Sequence, residues 1–531
     1  MNAGGALSGV GTVGNTTIAS GGILMPGNAT PGTFLNVAGN LAFQSGALYL
    51  VGLNSTASTL AKVSGSATLA GSVGVRVAAG STIAKRYTIL SAAGGRSGTF
   101  AGVDSTGLPS NLVATLGYDA SNAYLNFALD YGAKSKLNVN QQNVATTLQN
   151  FFNANGGINA VFAGLSPNGL TQASGEGATG SQQATFNAMG LFLGLLTDPF
   201  IAGRDGGLGD GAGATPFAEE STPLAYAARK TEPRDALAAI YTKAPPPQPS
   251  FEQRWSVWAA GYGGSQSTSG NAVLGSNNTS SNLYGTAVGA DYRFSPNTIA
   301  GFALAGGATS FSVNGLGWGR SDLFQAGAFV RHSVGAAYLS AALAYGWQDV
   351  TTDRIVTAAG ADHLRANFNA NAWSGRLEGG YRYATPWIGL TPYAAAQFTS
   401  FELPAYAESV VSGGGAFALN YAAKSVTDVR SELGLRSDKS FAVDGGIVTL
   451  RGRVAWAHDF NPDRAVGAVF QTLPGAAFVV NGAAQASDSA LTTASAELRW
   501  RNGWSAAATF EGEFSNVTQS YAGKGVMRYT W

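Results

Sequence analysis

The last twelve residues of the chain, 520–531, limit its folding options more than any other stretch. Taken at every second position, one set is Trp531, Tyr529, Met527, Gly525, Gly523 and Tyr521, and the other is Thr530, Arg528, Val526, Lys524, Ala522 and Ser520. Side chains alternate faces along a strand, so the pattern predicts a strand with one aromatic, apolar face and one charged face. About ten residues of such a strand cross a bilayer when tilted. A soluble sheet can carry the same alternation, and repetition decides between the two. Residues 503–514 set Trp504, Ala506, Ala508, Phe510 and Phe514 against Ser505, Thr509, Glu511 and Glu513. Residues 490–500 set Ala494, Ala496, Leu498 and Trp500 against Thr493, Ser495, Glu497 and Arg499. The same period recurs over 373–383, with Trp373, Leu377, Tyr381 and Tyr383 against Arg376, Glu378 and Arg382. It recurs again over 447–457, with Val448, Leu450, Val454 and Trp456 against Arg451 and Arg453. Aromatic residues fall near the strand ends, where their amphipathic rings suit a membrane interface.

Composition narrows the class. Only 11% of the 531 residues are charged, the net charge is +1, and there are 73 Gly and no Cys. Soluble chains carry roughly 25% charged residues, and a near-neutral balance argues against a nucleic-acid partner. Without Cys there are no disulfides, thiolate nucleophiles or Cys-based zinc sites, which suits passage through an oxidising compartment. The longest apolar run, 188–196, is too short to span a membrane as a helix, so a membrane-spanning reading requires a barrel. No secretory leader pattern opens the sequence: Met1 leads into Asn2, Ala3, Gly4 and Gly5, and the first basic residue is Lys62. The expectation is that the chain continues a longer gene product, since it begins inside a repeat.

Three regions follow, at about 1–132, 133–250 and 251–531. The first consists of short alternating stretches between Gly and Asn turns, about twenty residues per irregular repeat, and predicts the rungs of a right-handed parallel β-helix; a β-sandwich is the alternative. In the second, Val144, Leu148, Phe151 and Phe152 form one stripe of an amphipathic helix ending at Gly156 and Gly157. Further helices are expected over 182–196 and 233–243, separated by a flexible linker at 203–213. A stiff spacer with Pro245, Pro246, Pro247 and Pro249 follows.

From Trp255 onward roughly twelve strands of membrane-spanning length are expected, closing into a transmembrane antiparallel barrel. Long connections are expected at 263–282, 311–321, 348–369, 402–426 and 461–489, and short ones at 295–297, 333–334, 385–386 and 501–502. That alternation is the one expected of external loops and periplasmic turns. The connection near 438–445 is longer than the rule wants, and the one at 515–518 is shorter. The fold class expected is therefore mainly all-β: a β-helix fragment, a helical linker and a 12-stranded barrel.

Residues 170–192, LTQASGEGATGSQQATFNAMGLF, are similar to the LSGE-like segment that precedes the barrel in the autotransporters, the type V secreted proteins of Gram-negative bacteria, with Ala173 where Leu is usual. WSVWAAGYGG at 255–264 resembles that family's first strand, and Leu390 to Tyr393 its recurrent TPY strand. The resemblance covers nearly the whole chain. It implies an outer-membrane translocation unit that displays its own passenger at the cell surface, an adhesin among the options, with a helix plugging the pore. It also implies that Met527, Tyr529 and Trp531 form the C-terminal signal read by the barrel assembly machinery, that periplasmic chaperones and outer-membrane lipid are partners, and that no cofactor is used. Of the candidate plug helices, 233–243 is preferred and 182–196 stands second.

The inward faces then predict a wet, mixed-charge lumen lined by Arg376, Glu378, Arg430, Glu432, Arg451, Arg453, Glu497, Arg499, Glu511 and Glu513, wide enough for one helix. No catalytic or metal site is expected. The GxGxxG strings at 9–14 and 175–180 lack the strand-turn-helix context and acidic partner of a dinucleotide site. His332, His363 and His458 are scattered, and inward carboxylates such as Glu511 and Glu513 are more often solvated lumen charges than acids or bases. An outer-membrane barrel enzyme (protease or lipase) and a passive porin are the competing readings.

Overall fold

The computed structural model describes residues 3–132, 136–198 and 254–531. The first region is a three-faced parallel solenoid. On one face Ala6 pairs with Ile23, Ile23 with Leu48, Leu48 with Ser72 and Ser72 with Gly102. On a second, Gly11, Leu35, Ala61 and Leu90 follow one another, and on the third Thr16, Leu41, Ala67 and Arg96. Parallel, in-register stacking of successive stretches excludes the sandwich. One apolar residue from each face points inward, giving a core that includes Ile18, Leu24, Leu35, Leu41 and Tyr49. The rungs pack closely at their turns. A Cβ at Gly71, whose φ is +74°, would stand 2.1 Å from the carbonyl oxygen of Ala47 in the rung below.

An antiparallel hairpin, Leu112–Tyr118 with Asn122–Leu129, closes the second face by pairing onto Arg86–Ala92. Helix α1, Val139–Asn155, follows. Asn138 accepts from the Gln141 N–H (2.9 Å), the Gln141 side chain accepts from the Asn138 N–H (3.0 Å), and left-handed Gly156 (φ 72°) ends the helix. Val144, Leu148 and Phe152 are its buried stripe. Two short helices, α2 (Ala160–Ala163) and α3 (Pro167–Ala173), lead to α4, Gly180–Thr197. The linker, the 233–243 helix and the proline spacer lie outside the described residues.

Twelve strands form the barrel: β1 Trp255–Thr268, β2 Thr279–Ser295, β3 Thr298–Val313, β4 Gly317–Val334, β5 Ala337–Val356, β6 Asp362–Tyr381, β7 Gly389–Leu403, β8 Lys424–Val443, β9 Gly446–Asp459, β10 Asp488–Trp500, β11 Trp504–Phe514 and β12 Thr518–Thr530. Each pairs antiparallel with its neighbours, and β1 closes on β12 from Ser256↔Thr530 to Thr268↔Thr518. Closure leaves no open edge, which hydrocarbon requires because nothing there can satisfy a bare backbone group.

The alternation of short and long connections holds only in part, because several long ones contract. β3 and β4 stay paired to Val313↔Gly317, and β5 and β6 to Val356↔Asp362, so loops expected at 311–321 and 348–369 shrink to turns. The reason is that β5 and β6 each run 20 residues, where about 10 suffice to cross a bilayer. Their outer halves form a ribbon standing beyond it. The same effect reduces the connection expected at 438–445 to Asp444 and Gly445, because Val443 still pairs with Gly446.

The outward face is apolar and banded. Trp255, Tyr381, Tyr383, Trp504 and Trp531 ring the short-turn end; Tyr284, Phe324, Trp347, Trp373, Phe398 and Phe510 form a second band, and Val288, Leu343, Leu377 and Leu433 lie between them, all exposed. This is the disposition of a lipid-facing barrel.

Candidate functional site

The lumen is occupied by α4, and its wall is divided into two unlike sectors. Strands β3 to β6 turn small and apolar residues inward, among them Ala303, Ala305, Leu323, Ala342, Ala344, Ala370 and Ala372. Met189, Phe192 and Leu196 of α4 pack into that sector. Wall glycines make the space: a Cβ at Gly327 would lie 2.5 Å from Leu196 Cδ1, and one at Gly346 2.7 Å from Met189 Sδ. Polar contacts fix the register of the helix. Gln325 Nε2 donates to the Ala188 carbonyl (3.2 Å), Asn187 Nδ2 to Ser281 Oγ (3.0 Å), and Thr185 Oγ1 to Gln348 Oε1 (3.2 Å). The mixed-charge lumen thus shares its wall with a second surface: four of the twelve strands, β3 to β6, form a largely apolar seat for a helix. The preferred plug, 233–243, is outside the described residues, and the second candidate, 182–196, is the helix seen in the lumen.

The opposite sector carries the charges. Arg376 holds Glu432 through both ends of its guanidinium (2.9 and 2.7 Å) and also Glu378 (2.9 Å). Glu378 is shared with Arg436 (2.6 and 2.8 Å) and accepts from Tyr338 Oη (2.9 Å). Arg430 pairs with Glu513 and Asp459, Arg451 with Glu497, and Lys524 with Glu511 (2.7 Å), while Arg453 donates to Thr493 (2.9 Å). Arg499 is half-buried near the short-turn end of β10. A charge in so enclosed a space is tolerated when paired and hydrogen-bonded, as Arg376, Glu378, Glu432 and Arg436 are. Between this sector and Asn187, Gly190 and Gly194 of α4 lies a cavity of about 170 Å³, open in part to solvent.

At the end of the seam, Met527 and Trp531 are exposed on the outward face, and Tyr529 is half-buried with its ring 5.0 Å from Trp504 and 5.7 Å from Trp531. Trp531 exchanges backbone hydrogen bonds with Trp255 (3.2 and 3.0 Å), so the final residue helps lock the first strand to the last.

The long-loop mouth holds a second cluster that the sequence did not single out as a site. Buried Arg354 of β5 donates to both oxygens of Glu408 (2.6 and 2.8 Å), to the Phe417 carbonyl, and to the Gln172 carbonyl (3.0 Å). Glu408 also accepts from the Leu419 N–H (2.9 Å) and Tyr421 Oη (3.1 Å). Glu176, in the LSGE-like segment, accepts from Asn277 through its N–H (2.5 Å) and Nδ2 (2.7 Å), and burial raises its pKa to about 7. Gly175 is left-handed, and a Cβ there would meet Leu419 Cδ1 and Tyr421 Oη at 2.4 Å. The glycine and acid of that segment thus fit the chain into the mouth. Arg354 and Glu408 are far apart in sequence, and no local pattern joins them.

The histidines stand in three separate pairs: His332 with Thr298 (2.9 Å), His363 with Asp353 (2.7 Å) and His458 with Asp488 (2.9 Å). Among the described residues, none of these bonds continues to a serine as a nucleophilic relay would need.

Residues 257–511 match the family described as autotransporter beta-domain. This part of the chain belongs to that family. The autotransporter barrel is an outer-membrane structure, with the long-loop end and the β-helical stem at the cell surface. Among solved structures, the chain is similar to the translocator domain of autotransporter NalP from Neisseria meningitidis, with 17% identity, 52% of this chain and 88% of that one covered, and a TM-score of 0.43. It is also similar to the beta domain of the Bordetella autotransporter BrkA, with 18% identity, 52% and 100% covered, and a TM-score of 0.41. Two curated relatives, each an extracellular serine protease of Serratia marcescens, match at 28% identity over 46% of this chain and 29% over 34%. The chain spans under a quarter of their length, 23% and 17%.

Proposed function

We propose that this autotransporter barrel exports its own N-terminal region across the outer membrane and displays it outside, the β-helix serving as an adhesive or presenting surface. One observation carries the reading. The chain runs from the external solenoid through a buried mouth, at Gly175 and Glu176, into a helix seated in the lumen, so the path of the polypeptide is itself a passage through the barrel. No nucleotide is available outside the inner membrane, and stacking of solenoid rungs on the far side opposes return, each rung burying apolar residues such as Leu35 and Tyr49. Met527, Tyr529 and Trp531 serve the barrel assembly machinery as its recognition signal, delivered by periplasmic chaperones.

An epitope inserted at the exposed turn near Ser20 tests the export step in intact cells. It is expected to react with an external antibody only when the barrel is assembled. An epitope that stays inaccessible in cells whose barrel is folded contradicts export.

A proteolytic passenger is the second reading, favoured by the activity named for the two curated relatives. A serine-reactive fluorophosphonate probe separates the two: the display reading expects no labelled serine in residues 3–132.

A further inference from the structure

Outside the barrel the stem is seated on a surface made by the barrel itself. The two longest connections, 404–423 and 460–487, fold together into an antiparallel sheet of Tyr406–Ala407, Leu419–Tyr421, Ala465–Phe470 and Ala477–Asn481. Its last strand is an edge, and an edge presents backbone groups that need a partner. Helix α1 supplies one with side chains. Asn140 Nδ2 donates to the Asn481 carbonyl (2.8 Å) while Asn140 Oδ1 accepts from the Asn481 N–H (2.9 Å). Asn143 Nδ2 donates to the Val479 carbonyl (2.9 Å), and Thr147 Oγ1 to the Ala477 carbonyl (3.0 Å). Positions 140, 143 and 147 share one helical face, and 481, 479 and 477 are alternate residues whose carbonyls point the same way, so one row meets the other. Beside this row, Phe162 of α2 stands edge-on to Phe417 of the first connection (5.4 Å) and Phe470 of the second (5.1 Å).

We infer that the sheet built by these two connections is a receptor for the emerging stem, capturing residues 138–165 as they leave the pore and holding them outside, with Phe162 as the apolar anchor and Asn140, Asn143 and Thr147 setting the register. This rests on the export reading above. Three features support it. The sheet is built from barrel connections, so its strands are held at the mouth once the barrel has closed. The captured segment ends at 165, shortly before the lumen helix begins at Gly180, so it meets the sheet with a short closing loop. Capping the edge with amide and hydroxyl side chains, rather than with a strand, satisfies it for this helix while giving no template for pairing with an unrelated strand. Return to the lumen requires breaking the polar row and exposing Phe162 together.

The chain has no Cys, so Asn143→Cys with Val479→Cys introduces the sole reactive pair, to be joined by a short bismaleimide during a pulse–chase in cells carrying the epitope near Ser20. The inference expects the cross-link to form before the epitope becomes reachable from outside. In a second arm, N140A/N143A/T147A and F162A are each expected to slow appearance of the epitope about tenfold, with the barrel still resistant to unfolding by detergent at room temperature. A cross-link that forms only after the epitope is exposed, or normal export by both variants, overturns the receptor role and leaves export standing. If the unsubstituted chain never exposes the epitope, the export reading itself fails.

Discussion

The stem and the barrel use the same two-residue alternation and turn it in opposite directions. In the stem, Leu24, Leu35, Tyr49 and Val73 are at most 3% exposed, and the intervening residues face water. In the barrel, Leu343, Leu377 and Leu433 are more than half exposed, and the intervening residues are enclosed. Alternation therefore specifies a strand without specifying its inside. Length and the identity of the second set decide that. Stem strands run 3 to 8 residues, and their outward positions include Thr17, Lys62 and Thr68; barrel strands run 11 to 20, and their second set includes arginines and glutamates that find one another along the lumen wall. Connection matters as much. Parallel stacking adds rungs along an axis, while antiparallel closure ends the sheet on itself.

The comparison is sharpest where one substitution acts on only one of the two regions. Phe152→Ala removes a fully buried ring from the stem core and is expected to cost roughly 3–5 kcal/mol there. External protease should then cut the stem while the barrel keeps its heat-modifiable mobility; equal loss of both would make them one folding unit. Adjacent positions on β8 come next. Glu432→Ala strips Arg376 of its two-point partner in an enclosed site, an expected loss of about 3–5 kcal/mol, and Leu433→Arg places a charge in lipid, at about 2–4 kcal/mol. Urea unfolding in lipid vesicles measures both, and the stem's protease resistance should be unchanged by either. Gly346→Val is milder. Its Cβ meets Met189, so it is expected to cost about 1–3 kcal/mol and to raise single-channel conductance as α4 shifts.

The smallest effect concerns the joint between the two regions. The Glu176 pKa is raised by burial from 4.5 to about 7, so the proton is held more tightly in the folded mouth than in the unfolded chain. The stabilisation is complete below about pH 4.5 and is lost as pH rises through about 7. Protease sensitivity at the mouth should accordingly increase between pH 5 and pH 8, and Glu176→Gln should flatten that dependence.

The strand count, the solenoid and the α1 helix could be read from the sequence because each repeats a period over many residues. The loops were overestimated because lipid thickness was taken to set strand length, whereas β5 and β6 continue beyond it, paired with each other and carrying Arg354 into the mouth. Of the two candidate plugs, 233–243 lies outside the described residues and 182–196 is α4. α4 is enclosed on nearly every side: 14 of its 18 residues are buried, packed on the alanine- and glycine-rich wall and on the mouth above it. Small wall residues give a weak signal in sequence, so the apolar sector of the lumen stayed invisible while the charged sector stood out. The pairing of Asn140 with Asn481 lies 341 residues apart and leaves no local trace.

The central claim is that 180–197 fills a closed barrel whose alternate residues face lipid. Single cysteines at Leu433 and Gly190, spin-labelled in the chain reconstituted into vesicles, test it directly. The account predicts that the label at Leu433 is relaxed by oxygen dissolved in the bilayer, and that the label at Gly190 is immobilised and reached by a water-soluble nickel chelate but not by lipid. A label at Gly190 that moves freely in bulk water, or one at Leu433 that oxygen in the bilayer does not reach, would contradict it.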